Sequence, residues 1–221
     1  MAFEGVIAAV YDGSFYVEDY VEETGMCYGV SVYYETGGLP GKALEFIQLG
    51  NRVRVVGSVT YFEAGDIWQV SGLTYSLMNP NDPSNFTLIS SGLTPAYTLT
   101  TLKDFLTKKV EVEIKTETED GEEVEELKKF DYAELAMDTS ISMQGLKVTN
   151  TRANAKGEVT LTCTSDGLQI KVFLGLIYDD AGQPVTASEF ADETISVKGL
   201  VDKYYENYQI RVLTYADITV Q

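Results

Sequence analysis

A seven-residue pattern occurs twice in this chain, and it limits the possible folds more than any other feature. Val53-Arg-Val-Val-Gly-Ser-Val59 is matched by Ile195-Ser-Val-Lys-Gly-Leu-Val201, and Trp68-Gln-Val70 by Tyr208-Gln-Ile210 after a shorter turn. In the first copy Val53, Val55 and Val59 take one parity and Arg52, Arg54 and Ser58 the other, the period-two alternation of a half-buried strand. Gly57 and Gly199 interrupt the two copies at the same place, as happens where a small barrel bends. Repetition of such a pattern predicts two similar β units. The 15 Tyr, 9 Phe and 19 Gly agree with this, because aromatic side chains suit a pleated surface and glycine supplies tight turns.

Upstream of the first copy, Phe3 to Val10, Ser14 to Glu18 and Gly29 to Tyr34 read as three strands, with a turn at Asp12-Gly13. A short helical connection is expected over Lys42 to Leu49, behind Gly37, Gly38, Pro40 and Gly41, and a turn at Ala64-Gly65-Asp66. Upstream of the second copy, Leu146 to Thr149, Glu158 to Thr164 and Leu168 to Phe173 supply the matching strands, set apart by Gly157 and Asp166-Gly167. The expected fold is all-β, two five-stranded Greek-key barrels in tandem, the first in residues 1–79 and the second in 101–221. Asn79-Pro-Asn-Asp-Pro83 breaks regular structure, so 80–100 is expected to link them.

The stretch ahead of the second barrel elaborates it. Thr101 to Asp104 has the pattern of a helix cap, Val110, Val112 and Ile114 alternate as a strand, Asp120-Gly121 signals a hairpin, and Asp131 to Met137 fits a short helix. Glu111 to Lys129 holds nine acids and three lysines, which fits either a solvated hairpin or a docking surface for a basic partner.

Several kinds of chemistry are excluded or disfavoured. The chain of 221 residues has no histidine, which removes His-dependent triads and the usual zinc ligand sets. Its adjacent acids, Glu18-Asp19, Glu22-Glu23 and Asp179-Asp180, cannot converge on one substrate from a strand, where neighbours point to opposite faces. No enzyme, cofactor or metal site is expected. The two cysteines, Cys27 and Cys163, fall in different barrels, so no disulfide framework is expected and Cys163 reads as a small buried hydrophobe. No apolar run approaches the roughly 18 residues that cross a bilayer, so no membrane insertion is expected. The sequon-like Asn85-Phe86-Thr87 is short enough to arise by chance. Sixteen basic against 34 acidic residues give a formal charge of −18, a field that repels polyanions unless the cations cluster.

The succession Gly5 to Val10, Ser14 to Asp19, Gly29 to Tyr33 and Leu49 to Val59 resembles the oligonucleotide/oligosaccharide-binding (OB) modules attached to secreted bacterial nucleases and related surface proteins. The resemblance covers most of the first unit and is weaker in the second, which keeps Ile195 to Val201 and its return strand. It implies a barrel whose second and third strands, with adjoining loops, bind single-stranded nucleic acid or sugars. It also implies an accessory module of a larger, extracellular or surface polypeptide.

A single-strand binder needs aromatic platforms beside cations that follow the phosphates. By strand parity the candidates are Tyr16, Tyr33, Arg52 and Arg54 in the first barrel, with Tyr61 and Phe62 in the loop after its fourth strand. In the second they are Lys171, Phe173, Lys198 and Arg211, with Tyr204 and Tyr205 in the corresponding loop. The competing expectation is that these rings cover barrel ends or the contact between the units; Trp68 and Tyr208 are assigned to such packing. Two readings stay open: a non-catalytic module for single-stranded nucleic acid, or a protein-interaction, glycan-binding or structural module.

Overall fold

The computed structural model describes residues 1–11, 13–34, 39–63, 67–117 and 123–221. Asp12 of the turn expected at Asp12-Gly13, the turns expected at Ala64 to Asp66 and Asp120-Gly121, and Gly37 and Gly38 ahead of the expected helical connection lie outside these residues. The first sheet contains β1 (Ala2–Tyr11), β2 (Ser14–Val21), β3 (Met26–Tyr33), β4 (Arg52–Val56), β5 (Ser58–Phe62), β6 (Ile67–Ser71) and β7 (Thr87–Ser90), with helix α1 (Gly41–Leu44) between β3 and β4. Their order is β5-β6-β3-β2-β1-β4-β7. Because β4 runs into β5 past Gly57, one stretch of chain pairs with β1 through its first half and with β6 through its second, and the sheet closes. With β3 and β6 parallel and the other pairs antiparallel, this is the five-stranded OB barrel.

The bend itself explains one departure from expectation. A Cβ on Gly57 would stand 2.6 Å from the Ser71 carbonyl oxygen, so only glycine lets the two strands approach this closely. Val53 and Val55 are buried, whereas Val59, expected to share their face, is 51% exposed, because the alternation does not carry through the bend. The core is filled by Ile7, Phe15, Val17, Val32, Val53, Val55, Val70 and Phe86, with the rings of Phe15 and Phe86 5.5 Å apart. Within 80–100, Phe86 therefore sits in the first core and β7 pairs with β4.

The second sheet contains β8 (Thr98–Leu99), then, after the α2 to α3 segment, β11 (Ser140–Ala153), β12 (Val159–Ser165), β13 (Leu168–Gly175), β14 (Thr194–Tyr204), β15 (Asn207–Arg211) and β16 (Ile218–Val220). The order β16-β14-β15-β13-β12-β11-β8, closed by β14 on β11, repeats the first barrel's connectivity. Gly199 takes the place of Gly57, its absent Cβ falling 2.3 Å from the Arg211 carbonyl oxygen. Between β8 and β11 come α2 (Leu102–Thr107), β9 (Lys109–Glu117), β10 (Glu123–Asp131) and α3 (Tyr132–Leu135). Thr101 caps α2, its hydroxyl accepting the Asp104 N–H at 3.0 Å. Phe105 of α2 meets Tyr132 and Tyr208 edge-on at 6.2 and 5.8 Å and packs into the second core. Among the described residues the acidic strands β9 and β10 pair with each other alone, as a two-stranded ribbon.

The two barrels meet through the outer surface of β2 and β3. The side chain of Met26 is buried in the second barrel's core, the N–H of Cys27 donates to Thr98 Oγ1 at 2.8 Å, and Glu18 Oε2 accepts the Ser140 N–H at 2.7 Å. Gly29 leaves room for Thr139, whose methyl lies 3.2 Å from where a Cβ would be. Cys27 and Cys163 are both buried and unbridged.

Candidate ligand-binding groove

Strand parity on the second barrel builds a grid. Arg152, Thr160, Phe173 and Arg211 are successive cross-strand partners through β11, β12, β13 and β15, and one pleat away Asn150, Thr162, Lys171 and Gln209 form a parallel row. The inward neighbours Leu161, Cys163, Ile170, Val172 and Ile210 are buried in the core, which holds both rows outward on a rigid floor. Tyr204, at the end of β14, rises beside this floor, and Tyr11 reaches it from β1 of the first barrel. Together they enclose a groove of about 600 Å³.

Its electrostatics oppose those of the whole chain. Three lining residues are cations, Arg152, Lys171 and Arg211, and one, Glu158, is an acid that accepts a hydrogen bond from Asn154 at 2.6 Å. The Arg211 guanidinium lies over two rings, 4.7 Å from the centroid of Tyr11 and 4.8 Å from that of Phe173. Asp202 holds it there, accepting from Nε at 2.9 Å and from Nη2 at 2.5 Å, and Gln209 donates to the same carboxylate oxygen at 3.1 Å. This pairing leaves Arg211 as a flat, anchored surface with its charge largely compensated. Lys171 lies 5.9 Å from the Tyr204 ring, and among the described residues neither Lys171 nor Arg152 has a carboxylate within ion-pair distance.

Four of the twelve sequence candidates therefore converge on the groove: Lys171, Phe173, Tyr204 and Arg211. Tyr205 adjoins it, 79% exposed and edge-on to Tyr204 at 4.7 Å. Lys198 lies elsewhere, 5.2 Å over the ring of Tyr97, because it precedes the bend at Gly199, where β14 pairs with β11 rather than β15. Arg52 and Arg54 precede Gly57 in the same way. Arg52 is paired with Asp19 at 3.2 Å, and half-buried Arg54 stands between Glu4 and Thr87 of the neighbouring strands. Tyr61 and Phe62 are exposed on β5, with the Tyr61 ring 5.2 Å from that of Trp68. Trp68, assigned from sequence to packing, is 62% exposed, whereas its counterpart Tyr208 packs on the second core. Tyr33 is half-buried on β3 opposite Ser14.

Tyr16 faces the junction between the barrels. Burial pushes its hydroxyl up to about 12, and the nearby carboxylates of Asp138 and Asp202 act in the same direction. Burial likewise raises Glu18 to about 7, and Asp138 rises to about 7 through burial and the neighbouring Asp202 charge. The first barrel's row equivalent to the Lys171 row runs Ala9, Tyr16, Ser31, Gln69, Thr60, without a cation, and Ser71 stands where Arg211 stands in the second. Its strand surface contacts the other barrel instead.

No family model and no curated protein matches this chain. Among solved structures it is similar to the tetrameric p202 HIN2, at 9% identity and a TM-score of 0.34, over 100% of this chain and 92% of that one. It is also similar to the p204 HINb domain, at 8% identity and a TM-score of 0.36, over 100% and 97% of the two chains. A third is a murine DNA-binding protein bound with double-stranded DNA, at 10% identity and a TM-score of 0.34, over 100% and 93%. Among the missed lining residues, Thr160 and Thr162 share one parity within the predicted strand Glu158 to Thr164, and Asn150 and Arg152 extend β11 past its predicted end. Tyr11 carried no such signal, since only the docking of the barrels brings it to Arg211. Among the described residues no cluster of three or more His, Cys, Asp or Glu is placed to hold a metal, and no helix is long and apolar enough to cross a membrane.

Proposed function

We propose that the groove on the second barrel holds a short single-stranded oligonucleotide, and that the chain serves as a non-catalytic binding module. The observation that carries this is the convergence of ring faces and unpaired cations in one concavity: Phe173 and Tyr11 about Arg211, and Tyr204 beside Lys171, with Arg152 two strands away on β11. Each stacked base contributes about 1–3 kcal/mol, and a base is free to stack on protein only when it is not enclosed in a duplex. The chain's charge of −18 opposes this at long range. At physiological ionic strength the Debye length is about 8 Å, so carboxylates farther away than that are largely screened from a phosphate seated at Lys171.

Two unpaired cations set a quantitative expectation. At about −0.7 per contact, log K against log salt has a slope of about −1.4, so raising salt from about 50 to 200 mM weakens binding about sevenfold. Fluorescence anisotropy of labelled oligo-dT and oligo-U tests this, and binding absent at both salts overturns it. A second reading, a glycan, draws support from the uncharged Asn150, Thr160, Thr162 and Gln209 beside Phe173. Binding of oligosaccharides without salt dependence would favour it.

A further inference from the structure

The contacts of Arg211 with Phe173 and Tyr11 cross from one barrel to the other. Arg211 does not need Tyr11 to stay in place, because Asp202 grips its guanidinium through two nitrogens and the Phe173 ring lies 4.8 Å from it. Tyr11 gives one ring face to the guanidinium yet remains 42% exposed at the groove it lines. It ends β1, where Ile7 is buried in the first core and Ala9, on the outward face that Tyr11 shares, is buried as well, so the ring is carried by a strand packed on both faces. A flat ring in that position, backed by an anchored cation and open on the side of a ligand site, has the geometry of a stacking platform.

We propose that Tyr11 is a ligand-contacting residue, its ring backed by the Arg211 guanidinium and stacking on a nucleobase, so that the site is composite and complete only when the two barrels dock. This rests on the nucleic-acid reading of the groove. The first barrel then contributes to recognition through one residue at its edge rather than through its own strand face.

The test compares full-length Tyr11→Phe, Tyr11→Leu and Lys171→Glu with the unaltered chain, using labelled oligo-dT across a salt series. Tyr11→Phe keeps the ring and is expected within about twofold of the unaltered chain, whereas Tyr11→Leu keeps bulk without a ring and is expected to lose about tenfold, within the range of one stacked base. Because no charge is removed, the salt slope of Tyr11→Leu stays the same, while Lys171→Glu lowers both affinity and slope. If Tyr11→Leu binds as the unaltered chain does while Lys171→Glu binds weakly, the platform is overturned and the groove stands. Equal losses in Tyr11→Phe and Tyr11→Leu also overturn the ring's role. No binding by the unaltered chain, or no effect of Lys171→Glu, overturns the nucleic-acid reading and the platform with it.

Discussion

Gly57 and Gly199 occupy the same bend of the two barrels: a Cβ on the first would stand 2.6 Å from the carbonyl oxygen of Ser71, and on the second 2.3 Å from that of Arg211. Both contacts are with backbone, which cannot swing aside. Alanine at either position is therefore expected to cost about 1–3 kcal/mol in urea unfolding, the range for overpacking. The two variants should separate in binding. Gly199→Ala displaces the residue that carries the guanidinium and weakens oligonucleotide binding, whereas Gly57→Ala leaves it unchanged.

Charge reversal should sort the cations by place. Arg152→Glu and Lys171→Glu are expected to weaken oligonucleotide binding and flatten its salt dependence. Arg54→Glu and Lys198→Glu, though outward by parity, lie off the groove and should leave the slope as it is. Anisotropy at two salt concentrations separates the pairs, and a flattened slope in Lys198→Glu would contradict the placement of the site.

The junction between the barrels should weaken as pH rises. Glu18 shifts from 4.5 to about 7 and Asp138 from 3.8 to about 7, so the folded state holds protons that the unfolded chain releases. Their contribution is fully present below the unfolded values, around pH 4, and is lost as pH rises through 7. Thermal unfolding at pH 5 and pH 8 should show a fall of several degrees for the unaltered chain, at about 2–4 °C per kcal/mol. Glu18→Gln, permanently neutral, should show a smaller fall, and equal falls would place the ionisation elsewhere.

Tyr205 adopts a left-handed backbone with φ of 54° in the two-residue turn between β14 and β15. That conformation costs a bulky residue about 1–2 kcal/mol that glycine avoids. Tyr205→Gly is expected to melt at or above the unaltered chain while binding oligonucleotide less tightly, because Tyr204 loses the ring that meets it at 4.7 Å. Unchanged affinity would limit the loop's contribution to Tyr204 alone.

Alternation and glycine placement made the barrels legible in the sequence, since Val53, Val55, Ile195 and Val197 could only be inward on a half-buried strand. What parity could not convey was location. Arg54 and Lys198 point outward as predicted, but they precede the bend glycines, where one continuous strand changes partners and its outer face turns to another side of the barrel. Lys171 and Phe173 lie on an undivided strand, so parity alone located them on the groove floor. Tyr16 and Tyr11 depend on contacts between residues far apart in the chain, and no local pattern distinguishes a ring destined for a junction from one destined for a ligand.

Among the described residues the first barrel's strand surface is occupied by Ser140, Thr139 and their neighbours, so the proposed groove belongs to the second barrel's strand surface alone. With the proposed groove on one barrel, titration should saturate at one oligonucleotide per polypeptide, with no gain in avidity on longer strands. Tighter hold on an extended strand then requires several copies of the chain brought to it together.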